Sequence, residues 1–123
     1  MIFIKKYEVE IYEDATGYSQ ISNWIMELDQ NPSKENKMIL KKLYYQIERL
    51  EYSGTFIGEP IVKQIEGKLW ELRPLPHRVF FAVIEGNQLV LLHQFRKKSQ
   101  KTPRIEIDRA KREMADWIER MKG

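Results

Sequence analysis

Hydrophobic residues recur along the chain at two spacings, and the change between them divides the sequence into segments. From Lys6 to Tyr12 the apolar positions alternate, which predicts a short strand with one buried face. Between residues 19 and 52 the spacing becomes three to four residues, as in amphipathic helices. Alternation returns between residues 61 and 96, and the final segment, to about Met121, is again helical in its spacing. The pattern predicts a strand, two helices, four strands and a last helix.

The ends of the helices are marked by residues that favour helix boundaries. Ser19 and Ser33 each precede a helical pattern, and their hydroxyl oxygens can accept from free amides of the first turn. The short segment Asn31–Ser33 separates the first two helices, so we expect an antiparallel helical hairpin. The second helix should run from about Lys34 to Tyr52. Thr102–Pro103 should begin the last helix, because proline is tolerated at the first helical position.

Turn residues separate the four later strands from one another. The candidate strands are Ile61–Ile65, Leu69–Arg73, Arg78–Glu85 and Gln88–Arg96. The last two are apolar on both faces, so we expect central strands that are covered by helices. We therefore predict an α+β fold in a single domain spanning residues 1–123. Its small, mostly antiparallel sheet should be packed by the N-terminal helical hairpin and the C-terminal helix.

Composition excludes several classes of chemistry. The chain has no cysteine, which removes thiol nucleophiles and cysteine-ligated metal centres, and its two histidines, His77 and His93, are too few for a histidine-rich metal site. Glycine-rich phosphate-binding loops are absent. Apolar runs stay well short of the roughly 18 residues of a membrane span, and the N-terminus lacks the order of a signal peptide. We expect a cytoplasmic protein that uses neither a metal nor another cofactor.

The net charge of +3 is distributed unevenly along the chain. Residues 1–58 contain 7 basic and 9 acidic residues, a net charge of −2. Residues 63–104 contain 9 basic and 3 acidic residues, a net charge of +6. Positive charge concentrated on one part of a fold is typical of proteins that bind polyanions, although a solvated basic face without a partner gives the same count.

Arg73 and Arg78 are predicted to lie at neighbouring ends of adjacent strands, separated by a four-residue loop. Two guanidinium groups at this distance repel each other unless an anion or a carboxylate lies between them. Phosphate matches paired guanidinium groups well, since each can donate two parallel hydrogen bonds. The alternation of the strand places Glu71 on the same face as Arg73. The pair therefore indicates either a phosphate site or two arginines in salt bridges.

The last strand contains His93 and is followed by a basic loop that begins at Lys97. His93 and Phe95 share one face of that strand, and a lone histidine in an apolar strand is more commonly a packed core residue than a catalyst. Lys97, Lys98 and Lys101 come next, just before the last helix. They indicate either a solvated charge run or a shaped phosphate-binding edge.

Three blocks of residues together resemble the RelE/ParE toxin superfamily, and most closely its HigB-like, phage-derived branch. They are residues 67–73 (GKLWELR), 77–81 (HRVFF) and 91–103 (LLHQFRKKSQKTP), of which the third is the most specific. The order of elements also matches, so that the resemblance covers roughly residues 5–120. It implies the toxin of a bacterial type II toxin–antitoxin pair, which cleaves mRNA without a metal, usually on the ribosome.

The resemblance also implies roles for individual residues. The reaction would be attack of a ribose 2′-hydroxyl on the adjacent phosphate, leaving a 2′,3′-cyclic phosphate and a 5′-hydroxyl. Arg73 and Arg78 would clamp the phosphate and stabilise the transition state. His93 would be the acid or base, because the usual pKa of imidazole lies near neutrality, and Lys98 a second acid. The residues expected to hold the RNA backbone are Lys68, Arg96, Lys97 and Lys101.

Two departures and one relative keep other functions open. Glu71 stands where other members carry a cation. The C-terminal tyrosine of some RelE-type toxins has no counterpart, because all six tyrosines lie at or before Tyr52. ParE proteins share the fold but poison gyrase, so the alternative is a gyrase-poisoning or non-catalytic protein- or RNA-binding member. A toxin would have a helix-turn-helix antitoxin as its partner and mRNA, with the ribosome, as its target.

Overall fold

The computed structural model describes residues 4–121 and places a five-stranded sheet between two layers of helix. In chain order the elements are β1 (Glu8–Ile11), α1 (Gln20–Gln30), α2 (Lys34–Ser53), β2 (Val62–Glu66), β3 (Leu69–Leu72), β4 (His77–Val83), β5 (Gln88–Arg96) and α3 (Arg104–Met121). A 3₁₀ turn, Gly54–Ile57, follows α2. The predicted α+β class and order of elements are confirmed, and most boundaries differ from the predicted ones by only one or two residues.

The strands are arranged in the order β1-β5-β4-β3-β2. Neighbouring strands are antiparallel except for β1 and β5, which run parallel with Glu8 opposite Gln88. The register of β4 and β5 shifts between Phe80 and Phe81, because β5 contains one additional residue at this point. This bulge places His93 opposite Phe80. Since β4 and β5 are inner strands, the prediction that they are central is confirmed.

Each face of the sheet carries its own hydrophobic core. On one face, α1 and α2 bury Ile21, Leu43 and Leu50 against Phe81 and Leu91. On the other face, α3 covers a second core, with these buried members: Leu69, Phe80, Leu92, Phe95, Ile107, Ala110 and Trp117. Helices on both faces explain why β4 and β5 are apolar throughout.

The caps predicted for the first two helices are present, whereas α3 begins at Arg104, one residue after the predicted Pro103. The Ser19 hydroxyl accepts from the amide of Ser22, and the Ser33 hydroxyl accepts from the amide of Asn36, both at 3.1 Å. The second helix ends at Gly54, where φ is +56° and the Tyr7 ring lies against the α-carbon so closely that a Cβ would clash with it. Glycine suits this position on both counts.

A hydrogen bond between Tyr12 and Asp116 ties α3 to the segment after β1. The Tyr12 hydroxyl donates to Asp116 Oδ2 at 2.7 Å, and Arg120 also contacts Asp116, at 3.0 Å. Burial, together with the hydrogen bond to Asp116, raises the pKa of Tyr12 to about 12. The docking of α3 matters for the candidate site, because the loop that carries Lys97 and Lys98 leads directly into this helix.

Replacing Tyr12 with phenylalanine should lower the free energy of unfolding by about 1 kcal/mol near neutral pH. The folded-state pKa of Tyr12 exceeds its unfolded value of about 10, so its contribution is complete below about pH 10. The contribution is lost as the pH rises towards 12. Urea unfolding at about pH 8 and about pH 11 should therefore show a smaller difference between the native chain and the variant at the higher pH. Tyr44→Phe, at a half-exposed tyrosine, is the control; a pH-independent difference would contradict the prediction.

Candidate functional site

Arg73 and Arg78 meet at a buried carboxylate, that of Glu71. Oε2 of Glu71 accepts a hydrogen bond from Arg73 Nε at 2.9 Å and lies 3.6 Å from Arg78 Nε. The geometry follows from the strands: alternation places Glu71 and Arg73 on one face, and Glu71 pairs with Phe80, two residues from Arg78. Of the two interpretations of the arginine pair, the salt-bridged arrangement is present in the structure.

The main chain holds this end of β3 firmly. The amide of Arg73 donates to the carbonyl of Ile61 at 2.9 Å, which continues the pairing with the segment before β2. Gln46, buried on α2, donates through Nε2 to the carbonyl of Arg73 at 3.1 Å. The position of the Arg73 guanidinium is therefore set from the backbone as well as by Glu71.

The arginine pair keeps hydrogen-bonding capacity towards solvent. The side chains of Arg73 and Arg78 are 19% and 12% exposed, whereas Glu71 is fully buried. A guanidinium carries five N–H donors, more than the contacts with Glu71 and with the His77 carbonyl use. Burial lowers the pKa of Arg78, which Glu71 opposes and Arg73 reinforces. An anion arriving from solvent would meet two partly desolvated cations held at fixed positions.

Lys97 and Lys98 join Arg78 around a cavity of about 480 Å³, whose other lining residues are Ser99 and Gln100. The amide of Lys97 donates to the carbonyl of Pro76 at 3.3 Å, which brings the basic loop to the β3–β4 loop. Burial lowers the pKa of Lys97; Glu71 opposes this shift, and the cations Arg78 and Arg73 add to it. The ammonium group is thus crowded by like charges.

The cluster has a surplus of positive charge. Arg73, Arg78 and Lys97 contribute three cations against the single carboxylate of Glu71, a net charge of +2. This charge suits a phosphate group, and fixed guanidinium donors stabilise the charge that builds up on phosphorus oxygens during phosphoryl transfer. We call these four residues the cationic cluster.

His93 lies on the same face of the sheet as Glu71, but it is covered by α3 and its ring is fully buried. Nδ1 is 2.5 Å from Glu113 Oε1, and Nε2 is 3.3 Å from Glu106 Oε1. The latter contact is close enough for an ion pair but is not aligned as a hydrogen bond. His93 does not line the cavity that Arg78 and Lys97 border. Its predicted role as acid or base stays a prediction, and contact with RNA would require α3 to move.

The other predicted site residues are divided between three places. Lys98 and Lys101 are exposed in the basic loop, and Lys98 lines the cavity. Arg96 lines a different cavity, with Trp24 and His77, beside α1. Lys68 is in the β2–β3 turn, where its carbonyl accepts from Val83 at the far end of β4. The structure therefore brings neither Arg96 nor Lys68 into the cationic cluster, and their contacts with RNA stay predictions.

Two features of the site were missed from sequence. The sequence placed Glu71 on the same face as Arg73 and left salt bridges open, but it did not identify Glu71 as the fully buried carboxylate that both arginines contact. The second feature is the proximity of Lys97 to the cations Arg73 and Arg78. It accompanies the hydrogen bond from the Lys97 amide to Pro76, which no local sequence pattern predicts. A larger cavity, of about 650 Å³, lies at the opposite end of the sheet between residues 5–9 and the β4–β5 turn, and none of the predicted site residues line it.

The described residues form neither a metal-ligating cluster nor a helix that could span a membrane. Within residues 4–121, no group of three or more histidine, aspartate and glutamate side chains is arranged to hold a metal ion. Over the same part of the chain, no helix combines the length and the apolar character that crossing a membrane requires.

Solved structures with the same fold include two small toxins. RelE, in the archaeal RelE–RelB complex from Pyrococcus horikoshii OT3, is 18% identical over 78% of this chain and 99% of RelE, with a TM-score of 0.56. YoeB, in the YoeB–YefM complex from Staphylococcus aureus, is 13% identical over 76% of this chain and 99% of YoeB, with a TM-score of 0.54. A YoeB dimer from the same organism gives 13%, the same coverage and a TM-score of 0.52. The fold is therefore that of the RelE and YoeB toxins.

The family follows from the sequence match. A family model described as phage-derived protein Gp49-like (DUF891) matches residues 23–115. The chain belongs to this Gp49-like family. No curated protein matches it. The resemblance to a phage-derived branch of the RelE/ParE superfamily is thereby confirmed.

Proposed function

We propose that this protein is the toxin of a bacterial type II toxin–antitoxin pair, a HigB-like, metal-independent endoribonuclease that acts in the cytoplasm on mRNA at the ribosome. The observation that carries the proposal is the cationic cluster beside the cavity lined by Lys97 and Lys98. The RelE and YoeB fold and membership of the Gp49-like family support it.

Arg73 and Arg78 hold the phosphate to be cleaved through its two non-bridging oxygens. The ribose 2′-hydroxyl gives up its proton to solvent as its oxygen attacks phosphorus. The bond from phosphorus to the 5′-oxygen of the next nucleotide breaks, and that oxygen takes up a proton. The products are a 2′,3′-cyclic phosphate and a 5′-hydroxyl, so that no water is consumed in this step. Negative charge grows on the phosphorane, where the guanidinium donors are fixed in advance.

A lysine of the same cavity supplies the proton that the leaving 5′-oxygen takes up. Burial lowers the pKa of Lys97, so its ammonium group gives up a proton more readily than an exposed lysine does. Lys97 is the first candidate to protonate the leaving 5′-oxygen, and Lys98 on the same cavity is the second. His93 is the alternative acid or base, in a state in which α3 has moved away from the sheet.

A helix-turn-helix antitoxin is the proposed partner. RelE and YoeB were each solved as complexes, with RelB and with YefM. For this chain, an acidic segment of the antitoxin would suit the cationic cluster, because its carboxylates would take the place of the RNA phosphates. A small helix-turn-helix protein encoded beside this one would support the pairing.

Induced expression of this chain should stop bacterial growth within one generation and produce new 5′-hydroxyl ends inside reading frames. Sequencing of RNA 5′ ends after induction measures the second effect. Normal growth despite abundant folded protein would contradict the toxin proposal.

Glu71 gives one reason to keep the non-nucleolytic alternative, because it already neutralises part of the arginine pair. The same experiment separates the two functions. Growth arrest with intact mRNA and with gyrase-linked DNA breaks would favour a ParE-like activity over RNA cleavage.

A further inference from the structure

His93 makes contacts with two turns of α3 from within β5. Its ring is fully buried, and its two nitrogens face Glu113 at 2.5 Å and Glu106 at 3.3 Å. The rings of Phe80 and Phe95 enclose it, with centroids 5.4 and 6.3 Å away. A buried polar group without a partner is costly: Glu113 is the hydrogen-bond partner of Nδ1, and the Glu106 carboxylate lies within ion-pair distance of Nε2.

The basic loop, residues 97–103, lies between the two ends of this contact. His93, in β5, precedes the loop by four residues, and Glu106, in the first turn of α3, follows it by three. The contact between them therefore closes the loop at its base. The hydrogen bonds of the loop include those of the Lys97 amide to Pro76 and of the Ser99 hydroxyl to the carbonyl of Lys101, at 3.3 and 3.0 Å, and Pro103 accepts from the amides of Glu106 and Ile107.

The side chains of this loop are mostly exposed, so packing does little to fix it. Residues 98–101 are exposed, and only Lys97 and Thr102 are partly buried. Loops with few buried contacts open locally at small free-energy cost unless their ends are restrained. The loop is therefore restrained mainly at its two ends, by β5 and by α3. The positions of these two ends determine how far Lys98 lies from Arg78 across the cavity.

We propose that His93, Glu106 and Glu113 form a buried clamp that fixes the basic loop and sets the position of Lys97 and Lys98 against Arg78. His93 is then a positioning residue, which acts on the reaction through the loop and does not touch RNA. The catalytic part of this proposal rests on the proposed function, whereas the restraint on the loop does not.

Trypsin provides a direct test, because the loop contains Lys97, Lys98 and Lys101. In His93→Gln, the initial rate of cleavage within the loop of the folded protein should rise about tenfold, while cleavage after Lys5 and Lys6 stays unchanged. Mass spectrometry of the fragments separates the two regions. Glu106→Gln, at a partly exposed side chain, should show the same selective increase and serves if His93→Gln fails to fold.

Leu28→Ala is the matched control, because Leu28 is buried on the opposite face of the sheet. It lowers stability without touching the clamp and should not favour cleavage in the loop over cleavage after Lys5 and Lys6. Unchanged loop cleavage in both His93→Gln and Glu106→Gln overturns the clamp, whatever happens to RNA. Loss of RNA cleavage without a change in the loop also overturns it, since that result assigns His93 to direct chemistry.

A double-mutant cycle tests the link to catalysis. His93→Gln should reduce the rate of mRNA cleavage about tenfold, and Lys98→Ala should cost less in the His93→Gln background than in the native chain, because the lysine is already misplaced. Additive losses would overturn the link. If the native chain cleaves no RNA, the proposed function fails, and the trypsin result still decides whether the clamp exists.

Discussion

Replacing Arg78 with alanine is expected to reduce RNA cleavage by a factor of about 10² to 10³ and to abolish growth arrest. Removing one fixed donor to a developing oxyanion costs about this much in other enzymes. Of the two arginines of the cationic cluster, Arg78 is the one that borders the cavity with Lys97 and Lys98, so its loss removes the guanidinium donors on that cavity. Single-turnover cleavage of mRNA by the purified variant, with ribosomes present, measures the loss.

Two further variants make the Arg78 result interpretable. Arg78→Lys keeps the charge but loses the planar pair of donors, so it should recover less than about a tenth of the native rate. Arg112→Ala removes an exposed arginine of α3 and should leave cleavage unchanged. Thermal unfolding of each variant checks the fold. A folded Arg78→Ala protein that cleaves RNA at the native rate would remove Arg78 from the mechanism.

Replacing Glu71 with glutamine should destabilise the protein by about 3 kcal/mol in chloride buffer. The carboxylate is fully buried between two arginines, and its loss leaves two neighbouring cations without their shared counter-ion. Much of this stability should return in phosphate buffer, because an anion that binds the folded state stabilises it, by about 2.7 kcal/mol at a hundred times its dissociation constant. Urea unfolding in the two buffers measures both effects.

Glu85→Gln is the control for the Glu71 experiment. Glu85 is exposed near the β4–β5 turn, so its variant should change stability little and respond to phosphate as the native chain does. If Glu71→Gln is as stable as the native chain in chloride, the carboxylate does not hold the arginine pair. If phosphate stabilises Glu71→Gln no more than it stabilises the native chain, the pair is not an anion site.

Most elements of the fold could be predicted from the sequence because periodicity and capping are local properties. Ser19, Ser33 and the Asn31–Ser33 break set the helical hairpin, and turn residues separate the later strands. The parallel pairing of β1 with β5 and the bulge beside Phe80 were not predicted. Both depend on contacts between distant segments, for which a periodic pattern carries no signal.

The site was predictable in part for the same reason. Arg73 and Arg78 are neighbours because one short loop joins their strands, and this could be inferred directly. The surroundings of His93 could not, because Glu106 and Glu113 reach it from a helix that follows the whole basic loop. The sequence also did not predict that the basic residues would lie at separate places. Arg96 and Lys97 are adjacent in sequence, yet they line different cavities.

The parallel pairing of β1 with β5 has a consequence for synthesis on the ribosome. Glu8 pairs with Gln88, which is made 80 residues later, so at roughly 5–20 residues per second β1 waits about 4–16 s for its neighbour. Throughout this time the helical hairpin lacks β5, whose Leu89 and Leu91 help to cover its apolar face, and Lys97 and Lys98 do not yet exist. A partly made chain is therefore exposed to aggregation while it is still without a complete cationic cluster. The cationic cluster is completed only once Lys97 has been added to the growing chain.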